Sequence, residues 1–430
     1  MRSRQPSCVS AADALSIHCE SPVPSKPYTL GALILLAFGL RAAFFFVHHA
    51  PLEFPDSVIY DKIAVNVCAG AGLTQDPHTA VFRPPLYPLL LALSYRVFGR
   101  HLALVGLLQA LMGAVTVLVV YRIGREWFDE ATGWIAAAIV AIYPFFIFYS
   151  ALLLTETLFT LLLALGMALL GRAAGVTAEG RRASCRAAAL AGAVFGLGVL
   201  TRSSLVAFVI FLAPIWWLAA RDRGRWRAAF AWAVMLLCMI AVLTPWAIRN
   251  RIRTGHLVFT TLQSGHDLYE ANSPEATGGP AADRINWDEL TQGRPLSEYQ
   301  RDQLLRQKAL AYIRENPGRF LHLAAIKFCR FWSPIPNYQK YRSPLYNTIS
   351  LLSFGPVLVL AIIGVVLLRR RWRGLLLLLS PVVYYSLLHV IFVGSARYRA
   401  PVEPFLMVVA ACVVRMILAR WRRDGGLLSS

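Results

Sequence analysis

The chain has 430 residues, of which 57% are hydrophobic and only 15% charged. Soluble globular domains carry roughly 25% charge, so this composition excludes a soluble enzyme. The net charge of +20, with 38 arginines and 5 lysines, sits largely in short clusters just outside apolar runs. That is the pattern of cytoplasmic membrane loops, and no nucleic-acid-binding module accompanies it.

Residues 1–27 are polar and carry Pro and Ser, and read as a disordered cytoplasmic tail. Cys19 has no apolar run before it, which argues against a lipoprotein signal. Tyr28–Val47 has no small-residue cleavage site and reads as an uncleaved first span. Arg41 inside it needs a partner or a watery cavity. Val58–Ala69 carries apolar residues on one helical face and reads as an interfacial helix. Leu86–Phe98 is too short to cross about 30 Å of hydrocarbon and is expected to lie flat on the membrane.

Further spans are expected at Leu102–Tyr121, Trp134–Phe148, Leu152–Leu170, Ala187–Leu200, Leu205–Ala220 and Ala228–Trp246. A polar segment, 249–343, follows, with a helical second half interrupted at Asn316-Pro317-Gly318. The last spans are Leu345–Leu368, Leu375–Val393 and Val402–Leu418. The chain thus reads as an all-α polytopic membrane protein of about ten spans, ten to thirteen at the outside. The tail is followed by an N-terminal membrane module 28–248 with a first loop 48–101, the loop domain 249–343 and a C-terminal membrane module 344–430.

With the N-terminus inside, the loops after spans two, four, six, eight and ten are cytoplasmic and hold the arginine clusters, including Arg181, Arg182, Arg221 and Arg223. The opposite face then collects the first loop, Thr155-Glu156, Thr201-Arg202, the segment 249–343 and Ser395–Pro401. Five sequence-distant polar clusters share one side. Cys68 and Cys329 also fall there and read as two free thiols rather than a disulfide; no Cys/His metal spacing occurs.

The candidate residues each admit two readings. Asp56 is either a general base, its proton affinity tuned by nearby lipid, or the N-cap of the following helix. Arg83, held by Pro84-Pro85, is either a phosphate ligand or an arginine snorkelling to the interface. Glu156 is either catalytic or a carboxylate suited to a helix N-terminus. Arg202, Arg397 and Arg399 are either phosphate ligands or interface anchors. His48, His49, His78, His101, His256, His266 and His322 share the external face. No spacing makes a metal site of them, so a divalent ion with Asp56 or Glu156 is left open rather than expected.

The order of these motifs resembles the family 39 type of membrane glycosyltransferases of GT-C fold, which include protein O-mannosyltransferases and the lipid A aminoarabinose transferase. The resemblance runs from Asp56 and Tyr60 through Arg83-Pro84-Pro85-Leu86-Tyr87, Leu154-Thr155-Glu156-Thr157, Leu200-Thr201-Arg202, Thr244-Pro245-Trp246 and Arg397-Tyr398-Arg399-Ala400-Pro401. It implies a sugar donor on a polyprenyl phosphate and an envelope glycan, lipid or protein as acceptor. It also implies an active site on the periplasmic face of a bacterial inner membrane, with both termini cytoplasmic. By the same resemblance Asp56 is the base, Glu156 the second acid, and Arg83 and Arg202 donor-phosphate ligands. Arg397 and Arg399 are added to the phosphate ligands, and Tyr60, Asp61 and Tyr87 support them. Two departures stand out: Phe82 precedes Arg83 where the aminoarabinose transferases tend to have glutamate, and Asp56-Ser57 stands where the mannosyltransferases tend to have two acids. Without a large C-terminal external domain, acceptor recognition is expected to fall to 249–343. The rival readings are a lipid-linked glycan transporter or flippase and an O-antigen ligase or polymerase.

Overall fold

The computed structural model describes residues 27–76, 79–175, 184–219, 224–291 and 295–426. The expected tail 1–26, His78, Arg181, Arg182, Arg221 and Arg223 lie outside the described residues. The described residues form nineteen α-helices: α1 Pro27–His48, α2 Pro55–Cys68, α3 Leu86–Phe98, α4 Leu102–Trp127, α5 Glu130–Ile142, α6 Pro144–Ser150, α7 Glu156–Ala174, α8 Cys185–Thr201, α9 Phe208–Ala219, α10 Arg225–Thr254, α11 Ser264–Ala271, α12 Trp287–Thr291, α13 Glu298–Glu315, α14 Pro317–Trp332, α15 Pro344–Leu367, α16 Trp372–Leu378, α17 Ser380–Ile391, α18 Ala396–Arg399 and α19 Glu403–Gly426. Among the described residues there is no strand beyond one isolated bridge, Asp76 to Thr79.

Among the described residues, six stretches are long and apolar enough to cross a membrane: α1, α4, α7, α10, α15 and Ala396–Arg422. Two bent pairs add up to two more. The α5–α6 pair turns by 53° and the pair Arg369–Leu378 with α17 by 62°. Proline opens both second halves, at Pro144 and at Pro381, where its missing N–H and fixed φ end the preceding helix. The expected fifth and sixth spans are the short apolar helices α8 and Ser203–Ala219, beside the six to eight longer ones among the described residues. α3 has the bounds read from its hydropathy.

Arg41 has its partner. Its guanidinium, 1% exposed, donates to Ala37 O, to Ala141 O at 2.9 Å and to Val140 O at 3.0 Å. It satisfies carbonyls that the break after α5 leaves without a helical donor. Glycine permits the closest helix crossings. A Cβ on Gly192 of α8 would stand 2.0 Å from the Met235 carbonyl oxygen of α10, so the two backbones meet there without a side chain between them.

The segment 249–343 is tied to the first loop. α10 runs on past Trp246 to Thr254, so Arg249 lies on a helix. It donates to Ala80 O and Leu73 O. Glu298, in the first turn of α13, accepts from Ala80 N and Val81 N at 3.0 Å each, and Leu262 N donates to Val81 O. The helix break expected at Asn316–Gly318 is the junction of α13 and α14. Cys68 and Cys329 are both free and exposed.

Gly192→Ala is expected to destabilise the protein by about 1–3 kcal/mol through forced separation of α8 and α10. Gly31→Ala, where a Cβ meets nothing within 4 Å, serves as the control. Thermal unfolding in detergent checks the pair, and equal midpoints would contradict the crossing.

Candidate active site

Asp56 lies in the first turn of α2, after the N-cap residue Phe54. It makes no capping bond, so the N-cap reading fails. Its Oδ1 accepts from Arg83 Nη2 at 2.7 Å and its Oδ2 from Arg397 Nη1 at 3.0 Å. Arg397 then turns its Nε to Glu156 Oε1, which also accepts from Arg202 Nη1 at 3.2 Å. One continuous ion network therefore joins the first loop, the start of α7, the end of α8 and α18. Their side chains are sheltered: Glu156 is 1% exposed, Arg83 15%, Arg202 and Arg397 16% and Asp56 26%.

Three guanidinium groups and two carboxylates give this network a net charge of +1. Burial alone would push the Asp56 carboxyl up, but Arg83 and then Arg397 outweigh it and hold it at about 2. Burial pulls the Arg83 guanidinium down, and Asp56 more than offsets this, raising it. Each arginine also faces aromatic rings. Arg83 lies 5.3 Å from the Phe82 centroid and 5.8 Å from that of Tyr60. Arg202 lies 5.7 Å from Phe159 and 5.2 Å from Tyr398, and Arg397 5.5 Å from Phe54.

Local sequence explains the placement. Tyr60 follows Asp56 by four residues and so shares its helical face. Its ring meets Tyr87 edge-on at 5.3 Å. Tyr87, fully buried, donates to Gln109 Oε1 at 2.8 Å. Gln109 donates in turn to Ser150 O and Leu152 O, fixing the chain just before Glu156. Leu153 N reaches back to Pro51 O of the first loop. Gln109 was missed in the sequence, although a lone amide inside the apolar run Leu102–Tyr121 was a readable signal. Gln263 was missed too; its Oε1 lies 3.4 Å from Arg83 Nη1.

Two expected members lie elsewhere. Asp61, five residues after Asp56, is turned to another face of α2, where it accepts from Tyr95 Oη at 2.7 Å and from Arg100 Nη2 at 2.7 Å. Arg399, fully buried, pairs with Glu403 at 2.6 Å and donates to Phe331 O and Ser333 O. These partners turn it away from Asp56 and Glu156, so it joins α18 to the end of α14. Its expected role at a phosphate is replaced by an architectural one.

Among the described residues, His266, Asp267 and Glu270 of α11 have ligand atoms within 4.8 Å of one another and could hold a metal ion. Neither Asp56 nor Glu156 belongs to this group. Gln263 bridges it to Arg83, donating to Asp267 Oδ1 at 3.0 Å.

Because the Asp56 carboxyl lies below its unfolded value of about 3.9, its pairing adds stability that is fully present above that pH. This stability is lost as pH falls through about 2. Thermal midpoints in detergent from pH 8 down to pH 2 are therefore expected to fall less at the acid end for Asp56→Asn than for the wild type. Parallel curves would contradict the pairing.

Residues 82–248 match the family described as dolichyl-phosphate-mannose-protein mannosyltransferase. The chain is 28% identical over 232 residues to the undecaprenyl phosphate-alpha-4-amino-4-deoxy-L-arabinose arabinosyl transferase of Pseudomonas aeruginosa strain LESB58, and equally to that of Pseudomonas paraeruginosa strain DSM 24068. The match takes in 52% of this chain and 40% of the relative in both. The apo oligosaccharyltransferase of Archaeoglobus fulgidus superposes with a TM-score of 0.57 at 15% identity, covering 94% of this chain and 52% of the other. The complex of that archaeal enzyme, AglB, with an inhibitory peptide and a dolichol-phosphate gives 0.55, again at 15% identity, 94% and 52%. The GT-C fold is thus shared across almost the whole chain, and the family match falls on the part holding Arg83, Glu156 and Arg202: in that part the chain is similar to membrane glycosyltransferases whose names carry a polyprenyl phosphate sugar.

Proposed function

We propose that this protein moves a sugar from a polyprenyl-phosphate carrier to an acceptor hydroxyl or amine at the periplasmic face of a bacterial inner membrane. The carrier is named in the curated relatives as undecaprenyl phosphate and in the archaeal complex as dolichol-phosphate. The observation that carries the reading is the single sheltered network linking Asp56, Arg83, Arg397, Glu156 and Arg202.

Its charge suits the chemistry. A lipid phosphate esterified to a sugar carries one negative charge, matching the +1 of the empty network. In transfer, the acceptor oxygen or nitrogen bonds to the anomeric carbon. The bond from that carbon to the phosphate oxygen breaks, and its electron pair leaves with the phosphate. The leaving phosphate then approaches a charge of −2. If Asp56 takes the acceptor proton, the surrounding residues rise to +2 in the same step. The site is then charge-matched to donor before reaction and to lipid phosphate after it. Arg83, Arg202 and Arg397 would stabilise the leaving group where water is scarce. One displacement inverts the anomeric configuration. The acceptor would meet the donor between the first loop and the segment 249–343.

Mass analysis of envelope glycans and polyprenyl-linked sugars, in cells with and without the protein, identifies sugar and acceptor. Asp56→Asn is expected to reduce transfer by about 10²–10⁴-fold while the protein still inserts and elutes as a folded species. Normal transfer in that variant would remove Asp56 from the mechanism.

Arg83→Ala is expected to weaken donor binding about 10- to 100-fold, the loss of one charge-assisted hydrogen bond, with little change in acceptor affinity. Titration of purified protein with polyprenyl-phosphate sugar measures it; unchanged donor affinity would contradict the assignment.

A further inference from the structure

The proposed chemistry has a conflict built into its resting geometry. Both oxygens of Asp56 are occupied, Oδ1 by Arg83 at 2.7 Å and Oδ2 by Arg397 at 3.0 Å. A carboxylate held so firmly is a poor proton acceptor. The guanidinium groups that occupy it are the ones proposed to hold the donor phosphate. Arg397 spans the two acids, with Nη1 on Asp56 and Nε on Glu156, so a phosphate that takes up the Nη1 edge competes directly with Asp56.

The two acids are unequal. Glu156 is 1% exposed, begins α7 and also holds Arg202. The chain ahead of it is pinned through Gln109 and Pro51. Asp56 is 26% exposed and sits on the first turn of α2. Asp56 is the contact that yields. The aromatic faces under Arg397, Arg83 and Arg202 stay in place whichever anion the edges of the guanidinium groups address.

Resting on the glycosyl-transfer reading, we infer that Arg397 is a donor-operated latch on the base and that Glu156 is a positioning residue. The donor phosphate draws Arg397 and Arg83 off Asp56, and only then does Asp56 accept a proton. Glu156 holds Arg397 and Arg202 in register throughout the exchange. Donor must therefore bind before the acceptor is deprotonated. The groups facing Asp56 are Arg83 from the first loop, Tyr60 on α2, Arg397 and Tyr398 on α18, and Arg202 beyond α8. Glu156 lies behind Arg397, and Asp267 of α11 lies behind Arg83.

The test is an infrared pH titration of the full chain in lipid nanodiscs, with and without undecaprenyl phosphate. The protonated-carboxyl band of Asp56 is identified by its loss in Asp56→Asn. The latch predicts that undecaprenyl phosphate raises the midpoint of this band by at least ~2 pH units, a hundredfold gain in proton affinity, from two cations withdrawn and an anion brought near. In Arg397→Gln the lipid-free midpoint is already raised and the lipid adds less. Arg397→Lys, which keeps the charge but loses the planar fork that addresses the two acids at fixed positions, is the second variant should the first not fold. Glu156→Gln is expected to weaken undecaprenyl phosphate retention in native mass spectrometry about tenfold. A folded Glu156→Gln protein with wild-type retention would overturn the positioning role. If undecaprenyl phosphate binds and the Asp56 midpoint does not move, the latch is wrong and the transfer reading survives. If the lipid does not bind at all, both fall.

Discussion

The structure turns on one guanidinium group. Arg397 touches the two acids that the chain supplies from α2 and α7, and without it those carboxylates would face each other across a sheltered space with one cation fewer. Buried charge is tolerable only when geometry and hydrogen bonding compensate for lost water, and here the compensation is assembled from four distant stretches of chain. α18, which presents Arg397, is correspondingly well held. Ser395 caps it, accepting from Arg397 N, and Asn337 Oδ1 accepts from Ala396 N. Arg399 nails its end to Glu403 and to the last carbonyls of α14, with Phe354 3.4 Å beneath its guanidinium. The arginine that does not reach the site is part of what steadies the one that does.

The first loop receives the same treatment from its other side. Glu298 and Arg249 grip the backbone at Leu73, Ala80 and Val81, so Arg83 follows a fixed stretch and Pro84-Pro85 limits its freedom further. The stack of Tyr60, Tyr87 and Gln109 carries rigidity from α2 through α3 and α4 to the residues before Glu156. Segment 249–343 is therefore a wall of the same chamber as well as a polar insertion, since removing its grip would free the strand of chain that presents Arg83.

Hydropathy made the long spans legible because burying about 20 apolar residues in lipid overwhelms local preferences. It was less reliable where other terms decide. α10 ends eight residues beyond the expected span, at Thr254, because Gly255 in the left-handed region (φ 76°) closes it; that glycine was in plain sight. α8 and α9 fall short of a span because their ends are set by packing and by Arg202, whose backbone is extended. The convergence of Asp56, Arg83, Glu156, Arg202 and Arg397 was legible from membrane side alone. Who pairs with whom was not. Residues i and i+2 on a helix point apart, which separates Arg397 from Arg399. An offset of five separates Asp61 from Asp56, while an offset of four keeps Tyr60. The hidden partner of Arg41 was invisible for a different reason: open carbonyls at a helix break leave no mark in composition.

The choice of cation follows from the same geometry. A guanidinium is flat, is hydrated weakly on its faces and donates along its edges. At this site each face rests on an aromatic ring, Phe82, Tyr398 or Phe54, and each edge meets a carboxylate. An ammonium group is a compact, strongly hydrated point charge with no plane to stack and no rigid fork, so lysine would not reproduce this geometry. Carboxylate and phosphate present nearly the same pair of oxygens to an arginine fork. A site lined this way can exchange one anion for the other without rebuilding itself. Under the proposed transfer, the aromatic floor would fix position, the edge would be reused, and the charge released from Asp56 would be the charge the phosphate receives.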